Sequence, residues 1–193
     1  RSVSRGGVFS LNALDSIVSA IRGLVGDQGG AVHEPEFVKE EFEFVSERLE
    51  TGYVSSYGPT TSTFELELAR YTGAREVIAT SSGTAALHIA LLAIGVQPGD
   101  EVLLPSLTFV ATPNAVAYCG AQPHFVEVHE EDLGIDAARL RRYLASIARK
   151  SAGQTLNGKT GRPIRAIVPM HALGLMSNIV EILEVAKEFG LTV

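Results

Sequence analysis

The sequence predicts an α/β protein whose mostly parallel sheet carries helices on both faces. From residue 74 onward, short apolar runs alternate with helical patterns of roughly ten residues or more, and turn residues separate the two. At 193 residues the chain is long enough to bury about 70% of its extended surface. With 46% apolar and 20% charged residues, the composition excludes disordered, collagen-like and disulfide-scaffold classes. The formal charge of -6 argues against a broadly basic nucleic-acid surface. A single cysteine, Cys119, cannot form an intrachain disulfide, which fits a cytoplasmic protein. No apolar run is long enough to span a membrane, and Arg1-Ser2-Val3-Ser4-Arg5 does not lead into a secretory signal core.

The elements follow in order. Leu11, Leu14, Ile17, Val18, Ile21 and Leu24 recur at helical spacing, with Ser10 or Asn12 as cap and Gly26 as stop. Gly29-Gly30 and Pro35 interrupt that pattern, and Phe37, Glu40, Glu41, Phe44, Val45, Arg48 and Leu49 give a second helix up to Gly52. Residues 1–52 therefore read as an N-terminal helical segment and 53–193 as the α/β part. A loop over 53–61 precedes a third helix, marked by Phe64, Leu66, Leu68, Ala69 and Tyr71 and ended by Gly73. Strands are expected at 77–80, 101–105, 124–128 and 164–169, and helices at 84–94, 109–119, 136–148 and 178–189. The polar stretch 150–162 reads as a surface loop. A further strand begins near Thr192, and the chain opens without Met, so it is expected to be part of something longer.

Ligands of parallel α/β sheets collect outside the carboxyl ends of the strands, and the candidate residues lie there. Ser82-Gly83-Thr84 joins the first expected strand to its helix. Gly83 lets a ligand approach the backbone, and the free amides of the first turn with the hydroxyls of Ser82 and Thr84 converge on a phosphate. A helix cap without a ligand explains the same residues. Phe109, after the second strand, either stacks on a planar ring or is plain core. Asn114 either bonds across a neighbouring turn or faces solvent. His171 follows the strand at 164–169 on the same edge, and a hydrogen-bonded loop histidine is its alternative. His33, His88, His124 and His129 lack partners even more clearly, and no metal site is expected.

Two patterns are refused. Gly153-Gln154-Thr155-Leu156-Asn157-Gly158-Lys159-Thr160 fits the phosphate-loop spelling of nucleoside triphosphatases, but it follows a helix and precedes a strand, the reverse of a working loop. The acidic stretch Glu127, Glu130, Glu131, Asp132 and Asp136 has neither calcium-loop nor paired-carboxylate spacing and reads as solvated.

Several blocks in order resemble the nucleotide-sugar aminotransferases of the DegT/DnrJ/StrS type. These are Gly52-Tyr53-Val54-Ser55-Ser56-Tyr57-Gly58, Thr80-Ser81-Ser82-Gly83-Thr84-Ala85-Ala86-Leu87-His88, Gly99-Asp100-Glu101-Val102, Leu107-Thr108-Phe109-Val110-Ala111-Thr112 and Gly120-Ala121-Gln122-Pro123. The similarity runs over residues 33–193, and Met170-His171-Ala172-Leu173-Gly174-Leu175-Met176 with the N-terminal helix resembles the LegC-like branch. The resemblance implies a truncated three-layer αβα large domain, as in aspartate aminotransferase, that binds pyridoxal 5'-phosphate (PLP). It implies Ser82, Gly83, Thr84, Phe109 and His171 as cofactor residues, with Gly83 and Thr84 on the phosphate and Phe109 on the ring. Ser56, Tyr57 and Asn114 are implied at the substrate or subunit boundary of a homodimer. The implied reaction is transamination of a UDP-linked 4-keto sugar with glutamate as donor, for amino sugars of surface polysaccharides. The family's Schiff-base Lys and its pyridine-nitrogen Asp are expected beyond Val193, and Lys39, Lys150, Lys159 and Lys187 match neither. This chain alone is therefore expected to be inactive. A non-catalytic phosphate- or cofactor-binding regulatory protein of the same fold is the alternative.

Overall fold

The computed structural model describes residues 11–26, 35–56 and 58–193. The chain divides into two compact units, Arg1–Gly58 and Pro59–Val193. In the first, α1 (Leu11–Val25) and α2 (Lys39–Thr51) stand where the apolar periodicity puts them. The cap expected at Ser10 lies outside the described residues, and Asn12 is inside α1. At the start of α2, Glu41 Oε2 accepts from the Val38 amide at 2.8 Å, and Gly52 closes the helix with φ 73°.

The second unit opens with α3 (Pro59–Thr72), which begins within the stretch expected as a loop because a proline suits the first helical turn. The strand expected at 77–80 is not formed. Its backbone finds no ladder partner among the described residues; Ile78 is 80% exposed, and the Ala79 amide donates to Glu65 Oε1 at 2.8 Å. An apolar run becomes a strand only where a neighbour supplies the hydrogen bonds.

From there, the order is α4 (Gly83–Ala93), β1 (Glu101–Pro105), α5 (Ala111–Tyr118), β2 (Gln122–Val126) and α6 (Ala137–Ile147). β3 (Ala148–Ser151), β4 (Gln154–Asn157), β5 (Ile164–Ile167) and α7 (Ile179–Phe189) complete it. The stretch expected as a surface loop at 150–162 is in part the antiparallel hairpin β3–β4, turned by Ala152 and Gly153, both at positive φ.

β1 lies between β2 and β5, parallel to both. The expected strand near Thr192 is present as one parallel bridge to Ala166. A bulge beside Glu101 leaves Arg165 out of register, and its Nε donates to Asp100 Oδ2 at 3.0 Å. The pleat of β1 sorts the core into two layers. Val102 and Leu104 pack with Leu91 of α4 and Ala115 and Val116 of α5, while Leu103 packs with Leu140 and Leu144 of α6 and Ile182 and Val185 of α7. Helices thus cover both faces of a parallel sheet, as the sequence predicts.

Candidate functional site

The carboxyl ends of β1 and β5 face a cleft of about 680 Å³. Gly83, Thr84, Leu87 and Ala90 of α4 form one wall, Phe109 and Thr112 another, and Met170, three residues past β5, completes it. Phe109 is 72% exposed, so its ring is not core. Thr108 Oγ1 donates to Met170 Sδ at 3.4 Å and ties the segments after β1 and β5 together.

The N-terminus of α4 supplies the cleft's polar end. Ser82 caps the helix, its Oγ accepting from the Ala85 amide at 3.2 Å, and Ser82 O accepts from the Ala86 amide at 3.0 Å. The amides of Gly83 and Thr84 find no protein acceptor among the described residues. No atom lies within 4 Å of where a Cβ on Gly83 would sit, so the space beside that residue is open. Unpaired amides at a helix N-terminus suit a phosphate.

The predicted residues separate into two groups. Gly83, Thr84 and Phe109 share the cleft. Ser82 spends its hydroxyl on the cap, the second of the two readings of this motif. His171 stands on the loop after β5 but outside the cleft, and its Nδ1 accepts from the Ser177 amide at 3.1 Å, the loop-histidine alternative. Asn114 is exposed on α5, also outside the cleft lining. Ser56 belongs to the first unit, and Tyr57 lies outside the described residues, as does His33. Met170, the neighbour of His171, was not singled out. Its position after a parallel strand was the available signal, but a thioether draws less chemical attention than an imidazole. Cys119 is buried, which pushes its thiol pKa up and makes it a poor nucleophile.

The DegT/DnrJ/EryC1/StrS aminotransferase family model matches residues 35–193. The chain belongs to this family. Among the curated relatives, this chain is 37% identical over 163 residues to GDP-perosamine synthase of Caulobacter vibrioides, covering 84% of this chain and 40% of that protein. It is 38% identical over 159 residues to the spore coat polysaccharide biosynthesis protein SpsC of Bacillus subtilis, covering 82% and 36%. A solved structure, NtdA from Bacillus subtilis with bound cofactor PMP, superposes with a TM-score of 0.66 at 33% identity, over 80% of this chain and 33% of that one. The chain thus spans about 40% of the length of the curated relatives it matches.

Proposed function

We propose that the full-length protein is a PLP-dependent aminotransferase that converts the ketone of a nucleotide-linked keto sugar to an amine, with residues 53–193 as the N-terminal part of its cofactor-binding domain. The single observation that carries this is the cleft lined by Gly83 and Thr84, whose amides lack a protein acceptor among the described residues, and by the exposed Phe109. Bound PLP supplies an electron sink for the carbon that loses a proton. This chain's residues bind and orient it: the Gly83 and Thr84 amides and the Thr84 hydroxyl hold the phosphate, and Phe109 covers one face of the ring. Met170 and Leu87 keep the space apolar, which strengthens each polar contact by excluding water. The lysine and the aspartate of the reaction fall to the chain following Val193, and the loop at Ser56 and Tyr57 to the boundary of a homodimer.

For the substrate we propose a UDP-linked 4-keto sugar, as in the LegC-like branch, with glutamate as donor and a cytoplasmic setting. The relatives named GDP-perosamine synthase make a GDP-linked sugar the competing reading. Among the described residues, no helix is long and apolar enough to cross a membrane. The test is incubation of purified full-length protein with glutamate and UDP- or GDP-linked 4-keto sugars, with the product mass read for replacement of the ketone oxygen by an amine. Amination of the UDP-linked sugar is expected. Faster amination of the GDP-linked sugar replaces the base but keeps the reaction, and cofactor binding without turnover of either overturns the enzyme reading in favour of a binding protein.

A further inference from the structure

The opposite, amino-terminal end of the sheet holds a second polar site that the aminotransferase reading leaves unused. Glu101 opens β1 and is only 4% exposed, yet its oxygens are fully engaged. Oε2 accepts from His124 Nδ1 at 2.7 Å and from Asn157 Nδ2 at 2.8 Å, and Oε1 accepts from Thr160 Oγ1 at 2.6 Å. Burial by itself raises the carboxyl pKa, but the bonds from Asn157, Thr160 and His124, with the imidazole's charge, outweigh it and leave the pKa below its ordinary value. Glu101 is therefore an ionised acceptor, and His124 must carry its proton on Nδ1.

That assignment constrains the other ring nitrogen. His124 Nε2 lies 2.9 Å from the Tyr143 hydroxyl. With a neutral imidazole, the phenol donates to Nε2. With a doubly protonated one, Nε2–H donates to the phenol oxygen, and the Tyr143 O–H is free to serve another acceptor. Tyr143 borders a cleft of about 360 Å³ that also takes in Lys159, Arg162 and Gln122. Among the described residues, neither Lys159 nor Arg162 makes an ion pair; Lys159 Nζ sits 5.9 Å from the Tyr143 ring centre. The groups facing His124 are Glu101 on β1, Tyr143 on α6, Asn157 on β4, and Lys159, Thr160 and Arg162 on the connection to β5. Glu101 is the one acid among these, and its charge is already engaged. Arg149 of β3 adds a cation beside Gly158, where a Cβ would fall 2.6 Å from its Nε. Residues 149–162 contain four basic residues and no acidic one in a chain of net charge -6.

We propose that this cleft binds a free tetrahedral dianion such as phosphate or sulfate through Lys159 and Arg162, and that binding draws one proton from solvent onto His124 so that the Tyr143 O–H turns to the anion. The proton enters at Nε2, Tyr143 keeps its own, and no other bond changes. The site lies at the far end of the strands from Gly83 and does not rest on the cofactor reading.

The test is calorimetric titration of sulfate into full-length protein saturated with PLP, at constant ionic strength set by chloride. Sulfate is chosen because it stays doubly charged across the range, and saturation with PLP keeps it out of the Gly83 cradle. The affinity is expected to be roughly tenfold higher at about pH 6 than at about pH 8. Lys159→Ala with Arg162→Ala, both at exposed positions, is expected to lower it at least about tenfold at both pH values. Tyr143→Phe keeps the ring and the cations, so binding at the higher pH persists while the pH dependence flattens. The thermal midpoint of each variant checks that it is folded. Absence of sulfate binding, binding indifferent to Lys159 and Arg162, or equal affinity at both pH values in the parent protein overturns the proposal.

Discussion

Glu101 and Phe109 show how differently single residues report on this molecule. Glu101→Gln replaces one carboxylate oxygen by an amide nitrogen, so whichever way the amide turns, either Thr160 or the pair His124 and Asn157 loses its acceptor. A loss of about 2–3 kcal/mol in unfolding free energy is expected, measured by denaturant titration near neutral pH. The sign with pH follows from a folded pKa below the unfolded one. The contribution of Glu101 is full above the ordinary glutamate value, near 4.3, and is lost as pH falls through the depressed folded value. The parent protein should therefore lose more stability on acidification than Glu101→Gln does. Phe109 presents the opposite case. Because its ring is mostly exposed, Phe109→Ala should change stability by less than about 0.5 kcal/mol. The same change should weaken PLP binding by the full-length protein about tenfold in a fluorescence titration, a loss of stacking on the ring. Sequence position marked Gly83, Thr84 and Phe109 because each follows an expected parallel strand. It did not mark the Glu101–His124–Tyr143 chain, whose members lie 23 and 19 residues apart along the sequence and meet only through the sheet and α6.

Elements were legible in proportion to how locally they are determined. α4, α6 and α7 carry their own caps in Ser82, Asp136 and Asn178, and β1 is a continuous buried run, so their ends fall close to those read from periodicity. The hairpin β3–β4 was missed because its strands are polar and its turn is Ala152-Gly153 rather than Asn-Gly. Ala152 has φ 48°, a conformation in which an ordinary side chain is strained. Ala152→Asn should relieve this and stabilise the protein by about 0.5–1 kcal/mol, read as a raised denaturation midpoint. Gly134, before α6, tests packing instead. An added Cβ would meet Ser177 Cβ at 2.7 Å and its Cα at 3.2 Å, and Ser177 is tied down by donating to Met170 O at 2.7 Å. Gly134→Ala should cost about 1–3 kcal/mol in the same measurement, because neither backbone nor hydroxyl can yield cheaply.

For the molecule as a whole, much apolar surface is left uncovered in the α/β unit. Tyr71, Ile78, Ile89, Leu92, Val180 and Leu183 are all exposed, and the backbone at 77–80 joins no sheet among the described residues. Residues 1–193 expressed alone should bind a hydrophobic dye strongly and sediment as a broad distribution above the dimer mass, whereas a chain of the relatives' length should bind little dye and sediment as a discrete dimer. The alternation of apolar runs and helical periods determined the α/β class and the two-sided cover of the sheet, since each pattern is a local property with its own repeat. Which runs become strands, which side chains share the cleft at Gly83, and which partners neutralise Glu101 were decided by tertiary structure alone. The reason is physical: a backbone hydrogen-bond ladder, a cleft wall and a buried charge each need a second segment distant in sequence, and the one-dimensional pattern does not carry that distance.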